Sequence, residues 1–488
     1  MGLLTTSVGR RMLGGAMGML LADSLLPILA LVTTGFLTRQ LGPRGYGMLA
    51  LTLSAVTFGE NALNAFFSRA TIKLIGEASD WRPLGSHIIR RALATGTAVM
   101  VGLWLLALPI SVLLGEPTLA RYLRLGAVDI PILCAALAYR SVLVGTARFH
   151  AAAVGRAGRW LTRFCLVALL VWAGFAISGA LVGVIAASLV ELIVCRIYVG
   201  PGMLRRGTPV TAPIRQYGLL LFASSVSLSL LGAMDLFMLK ALGGSAAQAG
   251  LYGAAQSLAL LPALFSWTFA SPLLATLSRL MADSSFETGR VLACDATRMT
   301  LWLLPVAAIV AGSSPEVVRA IFGDAFAPAW PLLSVLIAGG VVNVVLVVAL
   351  TITTAMGYPV RTVLLSVPLA PLAFVGHQFA IPRWGSGGAA VVTCVVTCVG
   401  AGAALVAIHR WWRMSPPAAT WLRSGMVALA AGAVATIWPM PGIMVFVKLA
   451  VLGAAAVLSL WATGEFRPGE LAEVRSLFRR KAQPDRVV

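Results

Sequence analysis

Long apolar segments alternate with short polar breaks along almost the whole chain. Each segment is about twenty residues long, which is the length that a helix needs to cross the hydrocarbon core of a bilayer. Because backbone polar groups in lipid must be paired within the segment, each one is predicted to be a transmembrane helix. We count fourteen spans, centred near Leu26, Ser54, Trp104, Leu137, Leu170, Leu189, Ser229, Leu264, Ala307, Val345, Ala370, Val396, Ala431 and Leu452.

The composition agrees with this pattern and excludes the soluble classes. Of the 488 residues, 59% are hydrophobic and 11% are charged, and the mean hydropathy is +0.92. A soluble domain carries roughly 25% charged residues, so this chain could not cover a water-facing surface. The composition therefore excludes a soluble enzyme, a disordered protein and a secreted disulfide scaffold.

The basic residues alternate from break to break. The termini and the even-numbered breaks carry 28 of the 37 Lys and Arg residues, and the odd-numbered breaks carry 7. The break between spans four and five is assigned Arg148, Arg156, Arg159 and Arg163. Because cytoplasmic loops accumulate Lys and Arg, both termini are predicted to be cytoplasmic. This topology accounts for the net charge of +20 without nucleic acid, and contact with anionic membrane lipids is expected.

Similar breaks recur in the two halves of the chain. The first break reads LGPRGYG from Leu41, and the seventh reads LGGSAAQAGLYG from Leu242. Ser178-Gly179-Ala180 in the fifth break resembles Ser386 to Ala389 in the eleventh, about 208 residues later. Six spans therefore repeat as six in the same orientation, which predicts two lobes related by a pseudo-twofold axis along the membrane normal. The alternative is that glycine-rich turns look alike by chance.

The predicted fold is an all-α polytopic membrane protein of about fourteen transmembrane helices. Two six-helix lobes are followed by two C-terminal helices. The predicted ranges are residues 1–205 for the N-lobe, 206–410 for the C-lobe, 411–465 for spans thirteen and fourteen, and 466–488 for a basic cytoplasmic tail.

Polar side chains inside the spans are the candidate functional groups, since a charge at the bilayer centre costs about 2.5–3.5 kcal/mol on insertion. Glu60, Asn61 and Asn64 belong to a polar stripe on span two that should face a wet cavity. Asn61 and Asn64 are assigned to substrate binding. Glu60 is a proton or cation site, a substrate contact, or a hydrogen-bond hub between helices. Asp23 in span one is a cation site or a buried structural acid.

Arg140 in span four is the best candidate for binding a phosphate, because its planar guanidinium can contact two oxygens at once. The alternatives are that it snorkels to the interface or pairs with an acid such as Glu191. Asp129 lies eleven residues earlier, about 16 Å along the helix axis, so a direct Asp129–Arg140 pair is excluded.

Fewer candidates lie in the second half of the chain. Asp235 in span seven is assigned to cation or proton coupling, with a local ion pair to Lys240 or a cap as the alternative. Lys448 in span fourteen is expected to snorkel. The possible substrate contacts, for which helix-packing hydrogen bonds are the alternative, are Gln256, Trp267 and Asn343.

The sequence does not favour an enzyme. No odd-numbered break is longer than about twenty residues, whereas a membrane glycosyltransferase, ligase or polymerase would need a larger outside loop to hold its catalytic groups. We therefore predict no catalytic residues. No histidine or cysteine pair joins Cys394 and Cys398, so no metal site is predicted either.

Five segments, in order, resemble the polysaccharide transporter family, the Wzx-type flippases of lipid-linked oligosaccharides. They are TRQLGPRGYGMLAL (from Thr38), DLFMLKALGGSAAQAGLYGAAQSL (from Asp235), IFGDAFAPAWPLLSVL (from Ile321), AMGYPVRT (from Ala355) and RWGSGGAAVVT (from Arg383). The resemblance implies membership of the superfamily that also contains MATE multidrug exporters and lipid II flippases. It implies two lobes around a central cavity with alternating access.

The resemblance also implies a function. The chain would move an undecaprenyl-pyrophosphate-linked oligosaccharide from the cytoplasmic to the outer leaflet of the bacterial inner membrane, for surface polysaccharide biosynthesis. Asp23 matches, by helix and approximate depth, an acidic cation site of MATE relatives. The implied partners are the polyprenyl-linked glycan, membrane lipids and other polysaccharide assembly proteins. The protein would be a monomer without a cofactor, and coupling to H⁺ or Na⁺ stays open.

Two alternatives stay open on the same fold. One is a MATE-like, cation-coupled multidrug exporter, whose cavity would be apolar and acidic. The other is a lipid II flippase, which is chemically close to the first hypothesis.

Overall fold

The computed structural model describes residues 7–77, 80–200, 215–282, 286–414 and 417–465. All regular structure in these ranges is helical. The helices of the first six spans, which we call the N-lobe, are α1 (Ser7–Glu77), α2 (Trp81–Leu113), α3 (Leu119–Ala127), α4 (Asp129–Gly145), α5 (Phe149–Leu170) and α6 (Ala176–Val199).

The remaining helices form the next six spans, which we call the C-lobe, and a final hairpin. The C-lobe consists of α7 (Arg215–Ala241), α8 (Ala246–Ala259), α9 (Ala263–Ala282), α10 (Phe286–Leu301), α11 (Leu303–Gly312), α12 (Ser314–Phe322), α13 (Trp330–Ala355), α14 (Pro359–Ser366) and α15 (Leu369–Trp412). The hairpin consists of α16 (Ala418–Ile437) and α17 (Met444–Ala462).

The longest helices are hairpins that fold back at a glycine. A straight helix of the 71 residues of α1 would be about 106 Å long, far more than the roughly 30 Å of a bilayer core. The chain reverses at Gly42 in α1, at Gly174 between α5 and α6, and at Gly385 in α15. Val167 lies against Gly183, and Gly376 lies against Val392, as antiparallel pairing requires.

The helices provide about fourteen passes, which confirms the predicted fold class. Nine helical segments among the described residues are long and apolar enough to cross a membrane. Two of them, Phe149–Val199 and Val360–Trp412, have 51 and 53 residues and so are long enough for two passes each. Every predicted span centre lies within a helix.

The turns at one end of the molecule share a backbone feature. Each contains a glycine with positive φ: Gly42, Gly115, Gly174, Gly243, Gly323, Gly385 and Gly442. We call this end, which carries the odd-numbered breaks, the glycine-turn end. The opposite end carries the termini and the even-numbered breaks, which hold most of the Lys and Arg residues, and we call it the arginine-rich end. Gly42 corresponds to Gly243 in the sequence repeat, and both have a positive φ, so these two turns share backbone geometry as well as sequence.

The two lobes pack together at the glycine-turn end. The largest hydrophobic cluster joins Leu49 and Leu181 of the N-lobe to Tyr252 and Leu336 of the C-lobe. Two other clusters lie toward the arginine-rich end, one within each lobe. Helices α1 and α8 approach so closely at Gly47 and Gly250 that a side chain at either position would collide with the other helix.

The structure corrects the assignment of basic residues to the break between spans four and five. Helix α5 begins at Phe149, so Arg156, Arg159 and Arg163 lie inside a helix rather than in a loop. Arg163 is fourteen residues into α5, about 21 Å from its start. The stretch AAAVGRAGR is rich in alanine and glycine, so its modest hydropathy resembles a break although it is helical.

The α16–α17 hairpin is fixed to the C-lobe at both of its ends. The Lys448 Nζ donates to the Glu316 Oε2 at 2.6 Å, and Lys448 is fully buried. This corrects the expectation that Lys448 snorkels. At the arginine-rich end, Glu465 accepts from Thr420 at 2.7 Å and pairs with Arg298 and Arg423 at 3.9 and 3.4 Å.

We expect Glu316→Gln to destabilise the protein by roughly 3–5 kcal/mol, because it leaves the buried Lys448 ammonium without a counter-charge. Unfolding of the purified protein in detergent, followed by tryptophan fluorescence, would measure the loss. The double variant Glu316→Leu/Lys448→Leu is the control and should recover most of the stability, since apolar replacement of a buried pair is tolerated. Equal stability of Glu316→Gln and the unmodified protein would contradict this account of the hairpin.

Candidate functional site

Charged side chains from four neighbouring helices meet inside the N-lobe. The second half of α1, α4, α5 and α6 pack against one another, and each contributes at least one charge. The network consists of Glu60, Asp129, Arg140, Arg159, Arg163 and Glu191. Three acids therefore face three arginines within the membrane-spanning part of the lobe.

Glu191 holds two of the arginines. Its Oε1 accepts from the Arg140 Nη1 at 2.6 Å, and its Oε2 lies 3.7 Å from the Arg159 Nη1. Glu191 is completely buried, so both contacts are shielded from water. The alternative prediction that Arg140 pairs with Glu191 is confirmed. The guanidinium of Arg140 is therefore already bound to a carboxylate.

Glu60 and Asp129 form a second part of the network. Both are buried, and the Glu60 carboxyl lies beside that of Asp129, which is also close to the Ser188 hydroxyl. One Glu60 oxygen, both Asp129 oxygens and the Ser188 hydroxyl have no hydrogen-bond partner among the described residues. Buried polar atoms are normally paired. A group of carboxyl and hydroxyl oxygens can be satisfied by a proton or a hard cation.

Arg163 lies next to this carboxyl pair without bonding to it. Its guanidinium carbon is 5.4 Å from the Trp160 ring centroid, and Asp129 and Glu60 act on it electrostatically. In the part of the chain that the structure describes, no carboxylate lies within 4.0 Å of Arg163 and its side chain makes no hydrogen bond. Arg163 is thus the cation of the network that has no ion-pair partner.

Asp235 and Gln256 meet inside the C-lobe. The Tyr252 hydroxyl donates to Asp235 Oδ2 at 2.7 Å, and the Gln256 amide donates to the same oxygen at 3.1 Å. The Leu236 backbone N–H donates to Asp235 Oδ1 at 2.8 Å. Asp235 is fully buried. The alternative that Asp235 pairs with Lys240 is wrong, because Lys240 pairs with Glu116.

The other predicted residues are dispersed. Asn61 is exposed, whereas Asn64 and Asn343 are half-buried. The side chains of Asp23 and Trp267 lie outside the described residues. The structure therefore joins Glu60 to Asp129 and Asp235 to Gln256, in two different lobes, and the functional roles of all these residues stay predictions.

Sequence reasoning missed Arg159 and Arg163 as members of the site. The signal was present, because Arg156, Arg159 and Arg163 recur at the spacing of one helix face. Assigning the stretch to a loop removed that signal.

Two polar contacts join the lobes at the glycine-turn end. Lys240 Nζ of the C-lobe lies 3.2 Å from Glu116 Oε1 of the N-lobe, and both side chains are largely buried. Arg39 of the N-lobe donates to the backbone oxygens of Ala320 and Ile321 at the end of α12, at 2.6 and 3.2 Å. We call these contacts the inter-lobe latch.

The family model described as "Polysaccharide biosynthesis protein" matches residues 13–281, more than half of the chain. No curated protein matches the sequence.

Solved structures with similar folds are transporters. The lipid II flippase MurJ in an inward closed conformation matches with a TM-score of 0.68 at 13% identity, over 90% of this chain and 97% of that chain. An inward-facing multidrug resistance MATE family transporter of the MOP superfamily matches with a TM-score of 0.66 at 15% identity, over 82% of this chain and 97% of that chain. An outward-facing multidrug resistance MATE family transporter of the MOP superfamily matches with a TM-score of 0.55 at 15% identity, over 84% of this chain and 96% of that chain. At these identities the likeness establishes the fold alone.

We expect Lys240→Glu to open the glycine-turn end, because like charges placed together at the latch cost several kcal/mol. A cysteine at the buried position Ala249, in a cysteine-free background, would report opening by its labelling rate with a hydrophilic thiol reagent. Labelling should accelerate roughly tenfold or more.

The charge-swapped double variant Glu116→Lys/Lys240→Glu is the matched control and should return labelling to the original rate. If Lys240→Glu labels no faster than the unmodified sequence, the latch does not hold the lobes together.

Proposed function

Because this chain belongs to the polysaccharide biosynthesis protein family, we propose that it is a flippase for an undecaprenyl-pyrophosphate-linked oligosaccharide. It moves this lipid from the cytoplasmic to the outer leaflet by alternating access, for surface polysaccharide biosynthesis. The observation that carries the proposal is Arg163, an intramembrane cation that has no ion-pair partner among the described residues. It acts as a monomer in the bacterial inner membrane, beside other polysaccharide assembly proteins.

An unpaired arginine inside a membrane protein needs a reason, since such residues normally pair or face a wet cavity. Its planar fork is suited to two phosphate oxygens. We therefore assign the main pyrophosphate contact to Arg163, and not to Arg140, whose guanidinium is held by Glu191. Asn61 and Asn64, on the same helix as Glu60, would contact the sugar.

The charge distribution supports the direction of transport. With both termini in the cytoplasm, the glycine-turn end faces outward, and the latch closes that side. The lobes are then positioned to receive substrate from the cytoplasm. The inside-negative membrane potential favours outward movement of an anionic headgroup by about 2.3 kcal/mol per charge per 100 mV.

Ion coupling can be built from the carboxyl pair. When Glu60 and Asp129 are ionised, they compensate the charge of Arg163. When a proton or cation occupies the pair, Arg163 is left free for an anion. Binding of the ion and of the pyrophosphate would thus favour each other, which is the reciprocity that linkage requires. Asp23 and Asp235 remain further coupling candidates.

A multidrug exporter is the second candidate on this fold. It would require acids that are free to bind organic cations. Glu191 lies between two arginines, and Glu60 and Asp129 feel the charge of Arg159 and Arg163. Every acid of this network therefore lies near an arginine, and an organic cation would have to compete with that arginine for it. A lipid II flippase would use the same groups, and the identity of the accumulated glycan separates the two.

We expect Arg163→Ala to abolish glycan export while the protein still inserts, because the substrate phosphates lose their cation. A deletion strain expressing the variant should accumulate the lipid-linked glycan on the cytoplasmic leaflet, measured by leaflet-selective labelling and mass spectrometry. Arg163→Lys should retain part of the activity. The control is Arg383→Ala, a change of equal charge at the glycine-turn end. Normal export by Arg163→Ala would exclude the assigned role.

Glu60→Gln and Asp129→Asn should remove the response of transport to an imposed pH or sodium gradient, because an amide cannot release a proton or bind a cation as a carboxylate does. Flipping of a fluorescent polyprenyl-pyrophosphate sugar in proteoliposomes, with and without each gradient, measures this. Ser459→Ala serves as the control, since Ser459 lies in the α16–α17 hairpin and its hydroxyl donates only to the Ala455 backbone oxygen of its own helix. Unchanged gradient dependence in both carboxyl variants would reject the coupling role.

A further inference from the structure

Three aromatic rings surround Arg361 at the arginine-rich end of the C-lobe. The guanidinium carbon lies 4.1 Å from the ring centroid of Tyr358, 4.3 Å from that of Trp411 and 5.7 Å from that of Trp412. The two tryptophan rings pack edge to face at 5.6 Å, and Tyr358 lies 6.0 Å from Trp412. We call these four residues the Arg361 box.

Two distant parts of the chain build the box. Gly357, with φ of 86°, turns the chain after α13 and leads into Tyr358 and the first turn of α14. Trp411 and Trp412 are the last residues of α15. The box is therefore held on helix ends of one lobe, and its geometry does not depend on the position of the N-lobe.

The rings of the box contact the faces of the Arg361 guanidinium, but they provide no hydrogen-bond acceptor for the N–H groups at its edges. Aromatic rings attract a cation through their faces, and they offer no lone pair to the N–H groups in the guanidinium plane. Among the described residues, no side chain or backbone oxygen accepts a hydrogen bond from the Arg361 side chain. Arg361 also lies in the first turn of α14, where the helix dipole disfavours a cation.

A bound anion would account for both the unbonded N–H groups of Arg361 and the presence of a cation at the start of α14. It would accept the in-plane N–H groups, and it would lie at the positive end of α14. Phosphate suits this arrangement, because a guanidinium edge binds two of its oxygens side by side. The stacked rings hold the guanidinium plane in one orientation, which reduces the entropy lost on binding.

The location of the box indicates the source of the phosphate. Tyr358 and Trp411 are 46% and 40% exposed, and they lie at helix ends, the depth at which aromatic belts meet lipid headgroups. An aromatic belt alone would account for the three rings. It would not account for an arginine that lies among them and whose N–H groups have no hydrogen-bond acceptor in the described residues.

We propose that the Arg361 box binds a lipid-borne phosphate. The phosphate can belong to a bilayer phospholipid or to a polyprenyl phosphate carrier. This inference goes beyond the proposed function, because a bilayer phospholipid would bind the box whether or not the chain moves a glycan, and the experiment separates it from the polyprenyl carrier.

Native mass spectrometry of the purified full-length protein tests the proposal, with phosphatidylglycerol, phosphatidylcholine and undecaprenyl phosphate as separate probes. We expect Arg361→Ala to lower the affinity for at least one phosphate lipid roughly tenfold, the effect of losing a charge-assisted bidentate contact. The affinity of Arg361→Lys should lie between those of the unmodified protein and Arg361→Ala, since lysine keeps the charge but lacks the planar guanidinium fork. Arg196→Ala, an exposed arginine in the last turn of α6, is the matched control.

The probes distinguish the sources. Loss of phosphatidylglycerol binding assigns the box to bilayer lipid, and loss of undecaprenyl phosphate binding alone assigns it to the carrier.

Trp411→Leu keeps the arginine and removes one of the three rings. It should also weaken lipid binding, and it tests the proposal if Arg361→Ala does not fold. If the Arg361 variants bind all three lipids as the Arg196→Ala control does, the proposal is wrong.

Discussion

A charge placed in a hydrocarbon environment is tolerated only where it has a partner, and the described part of the structure is organised around this constraint. Glu191 pairs with Arg140 and approaches Arg159, Lys448 is paired with Glu316, and Lys240 is paired with Glu116. Arg140–Glu191 and Lys448–Glu316 join helices at positions 51 and 132 residues apart, and Lys240–Glu116 joins α7 to the turn between α2 and α3. The charges inside the apolar spans therefore specify which helices pack together, a task that uniform apolar surfaces perform poorly in lipid.

Among the described residues, Arg163 and Arg361 have no ion-pair partner, and neither do Glu60 and Asp129. The surroundings of the two arginines differ. Arg163 lies deep in the N-lobe beside carboxyl groups that do not bond to it. Arg361 lies at a helix end with its faces covered and its edges free. Both are proposed here to bind an oxyanion, Arg163 that of the transported headgroup and Arg361 that of a lipid at a helix end. The two proposals place phosphate recognition in both lobes, in different environments.

The sequence was sufficient for the helices and insufficient for the site. Apolar runs of span length and glycine turns at matched positions such as Gly42 and Gly243 give the topology, because both are local properties. The Arg140–Glu191 pair could be proposed because both residues are charged within spans. The partner of Lys240 could not, because Glu116 is 124 residues away and no local pattern records that the lobes meet there. Arg159 and Arg163 were missed because a stretch rich in alanine and glycine conceals a helix.

The attachment of the α16–α17 hairpin makes the two halves mechanically unequal. The internal repeat relates six spans to six, but the ion pairs at both ends of the hairpin add two spans to the C-lobe. In a bilayer, the larger body meets more viscous drag. If the lobes rock against each other as alternating access requires, the smaller one, which carries Arg163, turns further relative to the membrane plane.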